Sequence, residues 1–200
     1  MVRGQSAADD EADAVVHTAA HEEVRLLQRV ARGELRAFET LYRAYHPRLT
    51  RFLTGMLRKP ELVEEVVNDT LVAIWRKPDA FQGASKVSTW IFAIAYRKAL
   101  KARRRADEPL EDKGAELRES GEEGAEQQLK RAQTRTALLQ AMSGLSADHR
   151  AVVDLTYFHE FGYREIAEIM ACPVDTVKTR MFHARRALKA ALAGTLSDWL

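Results

Sequence analysis

Apolar residues recur at spacings of three and four along most of the chain. No stretch alternates strictly in twos, so the pattern predicts helices and no half-buried strands. The helices expected are 22–32, 34–57, 61–77, 88–105, 128–142, 146–158, 163–170 and 173–193. Leu35 to Leu57 reads as one long helix with Phe38, Leu41, Tyr42, Tyr45, Leu49, Phe52, Leu53 and Met56 as core. Pro47 lies inside it. Proline lacks an N–H and clashes with the preceding turn, so a kink or a division into two helices is expected there. The helical pattern lapses between 107 and 128 and then resumes. The chain therefore divides into two small units, about 21–106 and 129–195, and the fold class is all-α. No internal repeat is visible.

Net charge is only +2, but the charges are grouped in blocks. Asp9, Asp10, Glu11 and Asp13 open the chain with no base among them, and residues 1–20 are expected to stay disordered. From Lys86 to Arg105 there are seven bases and no acid. From Asp107 to Glu126 nine acids face two bases, with three glycines and a proline. That stretch has too few large apolar residues for a core, so 107–128 reads as a flexible acidic linker.

The second unit carries the most specific pattern, in GYREIAEIMACPVDTVKTRMFHARRALKAAL. A short helix with Ile166, Ala167, Ile169 and Met170 stops at Ala171-Cys172-Pro173. Pro173 suits the first position of a new helix, and Asp175 complements the helix dipole one turn in. A short helix, a tight turn and a longer basic helix make a helix-turn-helix. Projected at about 100° per residue, Val174, Val177, Met181, Ala184 and Leu188 form the inward stripe. Thr176, Thr179, His183 and Arg186 fall opposite, and Lys178, Phe182 and Arg185 flank the stripe. Bases suit phosphates and guanine edges, while Thr and Phe suit a thymine methyl. An ordinary solvated basic face is the plainer alternative; the preceding helix and turn favour the DNA reading. Cys172 reads as a small apolar turn residue.

In the first unit, helix 61–77 has an apolar face of Val63, Val66, Val67, Thr70 and Ile74. Its other face carries Glu61, Glu64, Glu65, Asn68 and Asp69, edged by Leu71, Val72 and Trp75. Such a face is either solvated or a docking surface for a basic partner helix. Ser88 is a candidate N-cap for the next helix, which interleaves Trp90, Phe92 and Tyr96 with Arg97, Lys98, Lys101 and Arg103–Arg105. Bases attract phosphates and aromatic faces stack unpaired bases, a combination that suits single-stranded nucleic acid or a duplex being opened. The alternative is that Trp90 and Phe92 are core and the arginines a solvated helix end.

Cys172 is the only cysteine, so no intramolecular disulfide or four-cysteine zinc site can form. The apolar run Trp90–Tyr96 is far short of the roughly 20 residues of a membrane span. The acidic start is unlike an export signal, and a soluble cytoplasmic protein is expected. No G-x-S-x-G, P-loop, G-x-G-x-x-G or H-E-x-x-H is present, and His159-Glu160 lacks a second histidine. Catalysis, a metal, a cofactor and a small-molecule substrate are accordingly not expected.

Taken together and in this order, four segments resemble bacterial sigma factors, most closely the compact extracytoplasmic-function class of the sigma-70 family. GELRAFETLYRAYHPRLTRFL is similar to the opening helix pair. VEEVVNDTLVAIWR is similar to the segment that docks on the polymerase clamp helices. STWIFAIAYRKALKARRR is similar to the helix that recognises and melts the minus-10 element. EIAEIMACPVDTVKTRMFHARRAL is similar to the helix-turn-helix that reads the minus-35 element. The resemblance implies core polymerase binding by Glu65, Asn68, Asp69, Val72 and Trp75. It implies minus-10 contacts by Gln82, Lys86, Ser88, Trp90, Tyr96, Arg97, Lys101 and Arg104, with the loop 82–88 capturing a flipped base. It implies minus-35 contacts by Thr176, Lys178, Thr179, Arg180, Phe182, His183 and Arg186.

Tyr96, Gly162, Asp175 and His183 depart from residues frequent in the family, and they bear on which promoter is read. The implied partners are core RNA polymerase (clamp helices and flap), promoter DNA and an anti-sigma factor, often membrane-anchored. The acidic linker would thread the RNA exit path. The competing expectation is a free-standing helix-turn-helix transcriptional regulator, which would dimerise and bind palindromes. The basic-aromatic helix argues against it.

Overall fold

The computed structural model describes residues 20–57, 59–106 and 136–193. These residues form helices α1 (20–31), α2 (Leu35–Leu57), α3 (Pro60–Arg76), α4 (Val87–Arg105), α5 (136–143), α6 (Ala147–Tyr157), α7 (Tyr163–Met170) and α8 (Val174–Leu192). A single 3-10 turn, Pro78–Ala80, follows α3, and the described residues contain no strand. The acidic N-terminal block, the acidic linker and residues 128–135 of the expected helix 128–142 lie outside the described residues.

Gly33 at φ +81° makes the reversal from α1 into α2. Glu34 completes that corner by accepting from Arg29 Nε at 2.8 Å, and the two arginines beside it hold its carboxyl below the usual range. α2 runs unbroken through Pro47, so the expected division does not occur. Pro47 and Arg43, whose carbonyl loses its usual donor, are both exposed, so water can replace the missing bond. The face of α2 with Leu41, Tyr45, Leu49, Phe52, Leu53 and Met56 is buried, which holds the helix together across the proline. Tyr45 donates to Glu23 of α1, and burial pushes its phenol far above the usual range.

α4 is covered on two sides. Val87, Thr89, Ile91, Phe92, Ala93, Ala95, Tyr96, Ala99 and Ala102 are all buried. One side packs on α2 and α3, the other on α7 of the second unit. The alanines let the helices approach closely. The helix starts at Val87 with Lys86 at its N-cap, so Ser88 lies in the first turn and does not cap it. Burial of Val87 at 1% exposure draws the helix start one residue earlier.

In the second unit Ser146 caps α6 by accepting from the His149 amide at 3.3 Å. α7 and α8 form the helix-turn-helix. Gly162 caps α7 without a side chain to accept from the first-turn amides, and Glu165 supplies the other half of a capping box by accepting the Gly162 amide at 2.9 Å. Ala171 ends α7 in the left-handed region, φ 50°, and Cys172 donates back to the Ala167 carbonyl at 3.0 Å. Pro173 is the N-cap of α8, one residue before the position the sequence suggests.

An alanine at positive φ is strained by about 1–2 kcal/mol, only partly offset by the entropy glycine adds to the unfolded chain. Ala171→Gly is therefore expected to raise stability by about 0.5–1 kcal/mol. Thermal unfolding followed by circular dichroism checks this, and a lower midpoint would contradict it.

The two units pack against each other through α4 on α7 and α2 on α6. Their arrangement was open from sequence. Arg150 is its hub: buried to 8% exposure, it donates to the carbonyls of Ser143 at 2.8 Å, Leu145 at 2.9 Å and Gly55 at 3.1 Å. Two of these bonds close its own unit and the third crosses to α2. Arg51 lies over the Phe158 ring at 3.8 Å on the same seam.

Candidate polymerase and DNA interfaces

The acidic face of α3 is as the sequence projects it. Glu65, Asn68 and Asp69 are exposed, Val72 is 42% exposed, and Trp75 is half-buried against Phe38 at 4.9 Å between ring centres. α4 supplies internal counterions, which the sequence did not reveal. Arg105 donates to Glu65 at 2.7 Å and Lys98 to Asp69 at 3.2 Å. Pairs this exposed contribute about 0.2–1 kcal/mol each, so a basic partner can displace them.

The apolar edge of this face is longer than Val72 and Trp75. Leu35 is 59% and Tyr42 37% exposed, and Phe38 is only partly buried. The expectation that Phe38 and Tyr42 belong to the inner core is thus corrected. Leu35, Phe38, Tyr42 and His46 form a stripe beside the buried one, with Tyr42 stacked on His46 at 5.0 Å. Separate projection of the two stripes would have found it.

The minus-10 candidates divide into two groups. Gln82, Lys86, Arg97, Lys101 and Arg104 are exposed. Ser88 and Trp90 are half-buried, Trp90 against Phe81 at 5.5 Å. Tyr96 is 4% exposed and faces the second unit, its hydroxyl 3.4 Å from Asp148. Burial and the neighbouring Asp148 carboxylate push its phenol up to about 12. Phe92, read from sequence as either a base-stacking ring or core, is core at 0% exposure. In this arrangement neither ring presents a stacking face.

On α8, Val177, Met181 and Ala184 are buried, with Val174 and Leu188 partly so, as projected. Lys178, Thr179, Phe182, His183 and Arg186 are exposed, Phe182 at 63%. Thr176 is half-buried. Asp175 orders the first turn, accepting from Lys178 Nζ at 3.0 Å on its carboxylate and from Thr179 Oγ1 at 2.9 Å on its carbonyl. Arg180 points away from that face. It pairs with Asp148 at 2.6 Å and passes 3.7 Å from Cys172 Sγ. Arg185 is held by the Tyr157 hydroxyl at 2.8 Å. The face is polar, basic and aromatic, and its backbone is fixed by the apolar stripe behind it.

Two family models match this chain in the order its helices lead one to expect: sigma-70 region 2 over residues 41–108 and sigma-70 region 4 over residues 135–188. The chain belongs to the sigma-70 family. Among its relatives, the RNA polymerase sigma-H factor of Pseudomonas aeruginosa is 28% identical over 184 residues, covering 87% of this chain and 95% of its own. The ECF RNA polymerase sigma-E factor of Escherichia coli K12 is 29% identical over 175 residues, covering 82% and 90%.

Of solved structures, the Bartonella quintana sigma factor RpoE, in complex with the anti-sigma factor NepR, superposes with a TM-score of 0.65 at 25% identity, over 80% of this chain and 98% of that one. CnrH, solved with the cytosolic domain of CnrY, shares the fold at a TM-score of 0.62 and 24% identity, over 86% and 98%. The chain is thus an extracytoplasmic-function sigma factor, which partners RNA polymerase and promoter DNA to direct promoter-specific initiation. The free-standing regulator finds no support, since both halves match sigma regions. No described helix is long and apolar enough to cross a membrane.

Proposed function

We propose a division of labour among the surfaces of this sigma factor. α3 docks on the polymerase clamp helices through Glu65, Asn68, Asp69, Val72 and Trp75. The loop 82–88 and the exposed bases of α4 hold the melted minus-10 strand. α8 enters the major groove at minus-35 with Lys178, Thr179, Phe182, His183 and Arg186. Arg180 and Thr176 contribute there by supporting the helix, since Arg180 is already paired with Asp148. Neither unit offers a large DNA footprint alone. Tethering through polymerase raises the effective concentration of each at its element, so binding is weak for the free chain and strong in holoenzyme.

We further infer that the chain works in the cytoplasm without catalytic activity of its own, and that a cognate anti-sigma factor holds it in check. A sigma factor of like build, the Bartonella quintana RpoE, was captured with such a protein.

The observation that carries this reading is the face of α8. Five donor or aromatic side chains stand exposed on a helix that three buried residues fix in place. Run-off transcription with purified core polymerase tests it. The chain is expected to confer promoter-specific initiation. Asp69→Ala is expected to lower it about twofold to fivefold by weakening core binding, an effect about that of one exposed charged contact. Unchanged core affinity in that variant would remove Asp69 from the interface.

A further inference from the structure

Two of the described histidines meet within the second unit. His149 lies in the first turn of α6 and His183 in the middle of α8. Their ring centres stand 6.1 Å apart, with the planes tilted by 38°. Both backbones are firmly held. The His149 amide donates to Ser146 Oγ at 3.3 Å, and Arg150 beside it is tied to three carbonyls. His183 lies between Met181, 2% exposed, and Ala184, 0% exposed. Among the described residues no side chain hydrogen-bonds or ion-pairs with either ring. His159, by contrast, is met by Asp154 at 3.2 Å.

Imidazole nitrogens left open in this way are ligands for divalent transition metals. A metal held at about 2.0–2.1 Å by one nitrogen of each ring sets the ring centres about 5–6 Å apart. A small rotation of the exposed His183 ring closes the remaining distance. Asp148 already neutralises Arg180, the guanidinium one turn before His183, at 2.6 Å. No third His, Cys, Asp or Glu joins the pair among the described residues, so water fills the other coordination positions. Nitrogen donors of this kind favour copper(II) over nickel(II) and zinc.

We propose that His149 and His183 form a two-imidazole site for a divalent transition metal, and that a bound metal withdraws His183 from the minus-35 duplex. The withdrawal rests on the reading of α8 as the minus-35 helix; the metal site does not. His183 is exposed on α8 with Lys178 and Thr179, where a ring nitrogen can donate to DNA. A metal shared with His149 turns the ring toward α6 and away from that face. By linkage, metal and DNA then weaken each other's binding. Upstream recognition thereby becomes sensitive to metal supply.

The full chain without a purification tag tests it, in a Cys172→Ala parent that removes copper–thiol chemistry. Titration with copper(II), followed by electron paramagnetic resonance, is expected to show a copper site with nitrogen ligands. His149→Ala and His183→Ala are each expected to weaken copper binding at least about tenfold, since even an outer-shell partner is worth that much. His149→Gln, closer in size, is expected to lose as much. His46→Ala is expected to change copper binding less than about twofold, because its ring lies elsewhere, against Tyr42. Nickel(II) is expected to lower the promoter affinity of the parent holoenzyme about fivefold or more, the low end of one lost base contact. His149→Ala keeps His183 and is expected to lose that nickel effect.

Copper bound equally tightly by the parent and the His149 and His183 variants would overturn the site. Nickel that lowers promoter affinity equally in the parent and in His149→Ala would overturn the withdrawal of His183. So would nickel that binds the parent and leaves its promoter affinity unchanged. If holoenzyme with His183→Ala binds the promoter like the parent, the placing of His183 on the duplex falls, and the withdrawal with it. The copper titration of the free chain still decides the site.

Discussion

Phe92→Ala is expected to destabilise the protein by about 3–5 kcal/mol, the usual range for a buried phenylalanine. Phe92 has 0% exposure, and its ring meets three others: Phe52 at 5.4 Å, Phe161 at 5.0 Å and His159 at 4.7 Å. The Arg48 guanidinium lies 5.5 Å from its centre. Phe52 belongs to the first unit, while His159 and Phe161 belong to the second. One truncation therefore opens a cavity in the first core and removes the ring on which the second unit rests. A chain of this size loses about 2–4 °C per kcal/mol, so the midpoint should fall by about 6–20 °C. The transition should also broaden or split as the units uncouple. Phe92→Leu keeps most of the volume and should cost under about 1.5 kcal/mol. Circular dichroism melts of the three proteins check the series. A loss under about 1 kcal/mol for the alanine variant would mean that the shared packing is not where the stability lies.

The same residue shows what sequence could and could not tell. Among the described residues, helical periodicity finds the helices from α1 to α8, the presence of two helical units and the turn before α8, because each depends on spacing within one segment. Projection separated Val177, Met181 and Ala184 from Lys178, Thr179 and His183 for the same reason. Phe92 reads as either core or stacking ring, and Tyr96 reads as a strand contact though it is 4% exposed, because α4 is covered on two sides and nothing within α4 says that α7 lies on its second side. Trp90, in the same helix, remains half-exposed against Phe81. Arg150 gave no signal at all. A charged residue in an amphipathic helix reads as surface, and only the three carbonyls gathered around it, from Ser143, Leu145 and distant Gly55, explain its burial. The pairing of Glu65 with Arg105 and Asp69 with Lys98 was equally invisible, being 40 and 29 residues apart. Pro47 misled for a different reason. Its local cost is real, but a helix buried on both sides of it outweighs that cost.

Lys178→Glu with Arg186→Glu is expected to abolish promoter-specific initiation, lowering it at least about 100-fold at moderate salt, since each lost base or phosphate contact costs about 1–3 kcal/mol. The two side chains lie two turns apart on the exposed face of α8, and reversal moves that face by four charge units toward a duplex of like sign. The fold should hardly notice. Both positions are exposed, and among the described residues the interaction given up is the bond from Lys178 to Asp175 at 3.0 Å. Turning that pair into a repulsion costs about 0.5 kcal/mol. Core binding should be untouched, because α3 is a separate surface. The discriminating readout is salt. If both residues face phosphates, the slope of log affinity against log salt for holoenzyme on promoter DNA should fall in magnitude by about 2. If they instead read bases, the slope should persist while discrimination between promoter and scrambled duplex collapses. A variant holoenzyme that initiates like wild type would show that α8 does not carry the upstream contact. A variant that no longer binds core would show that this face meets the polymerase, and the assignment of α8 to DNA would have to be given up.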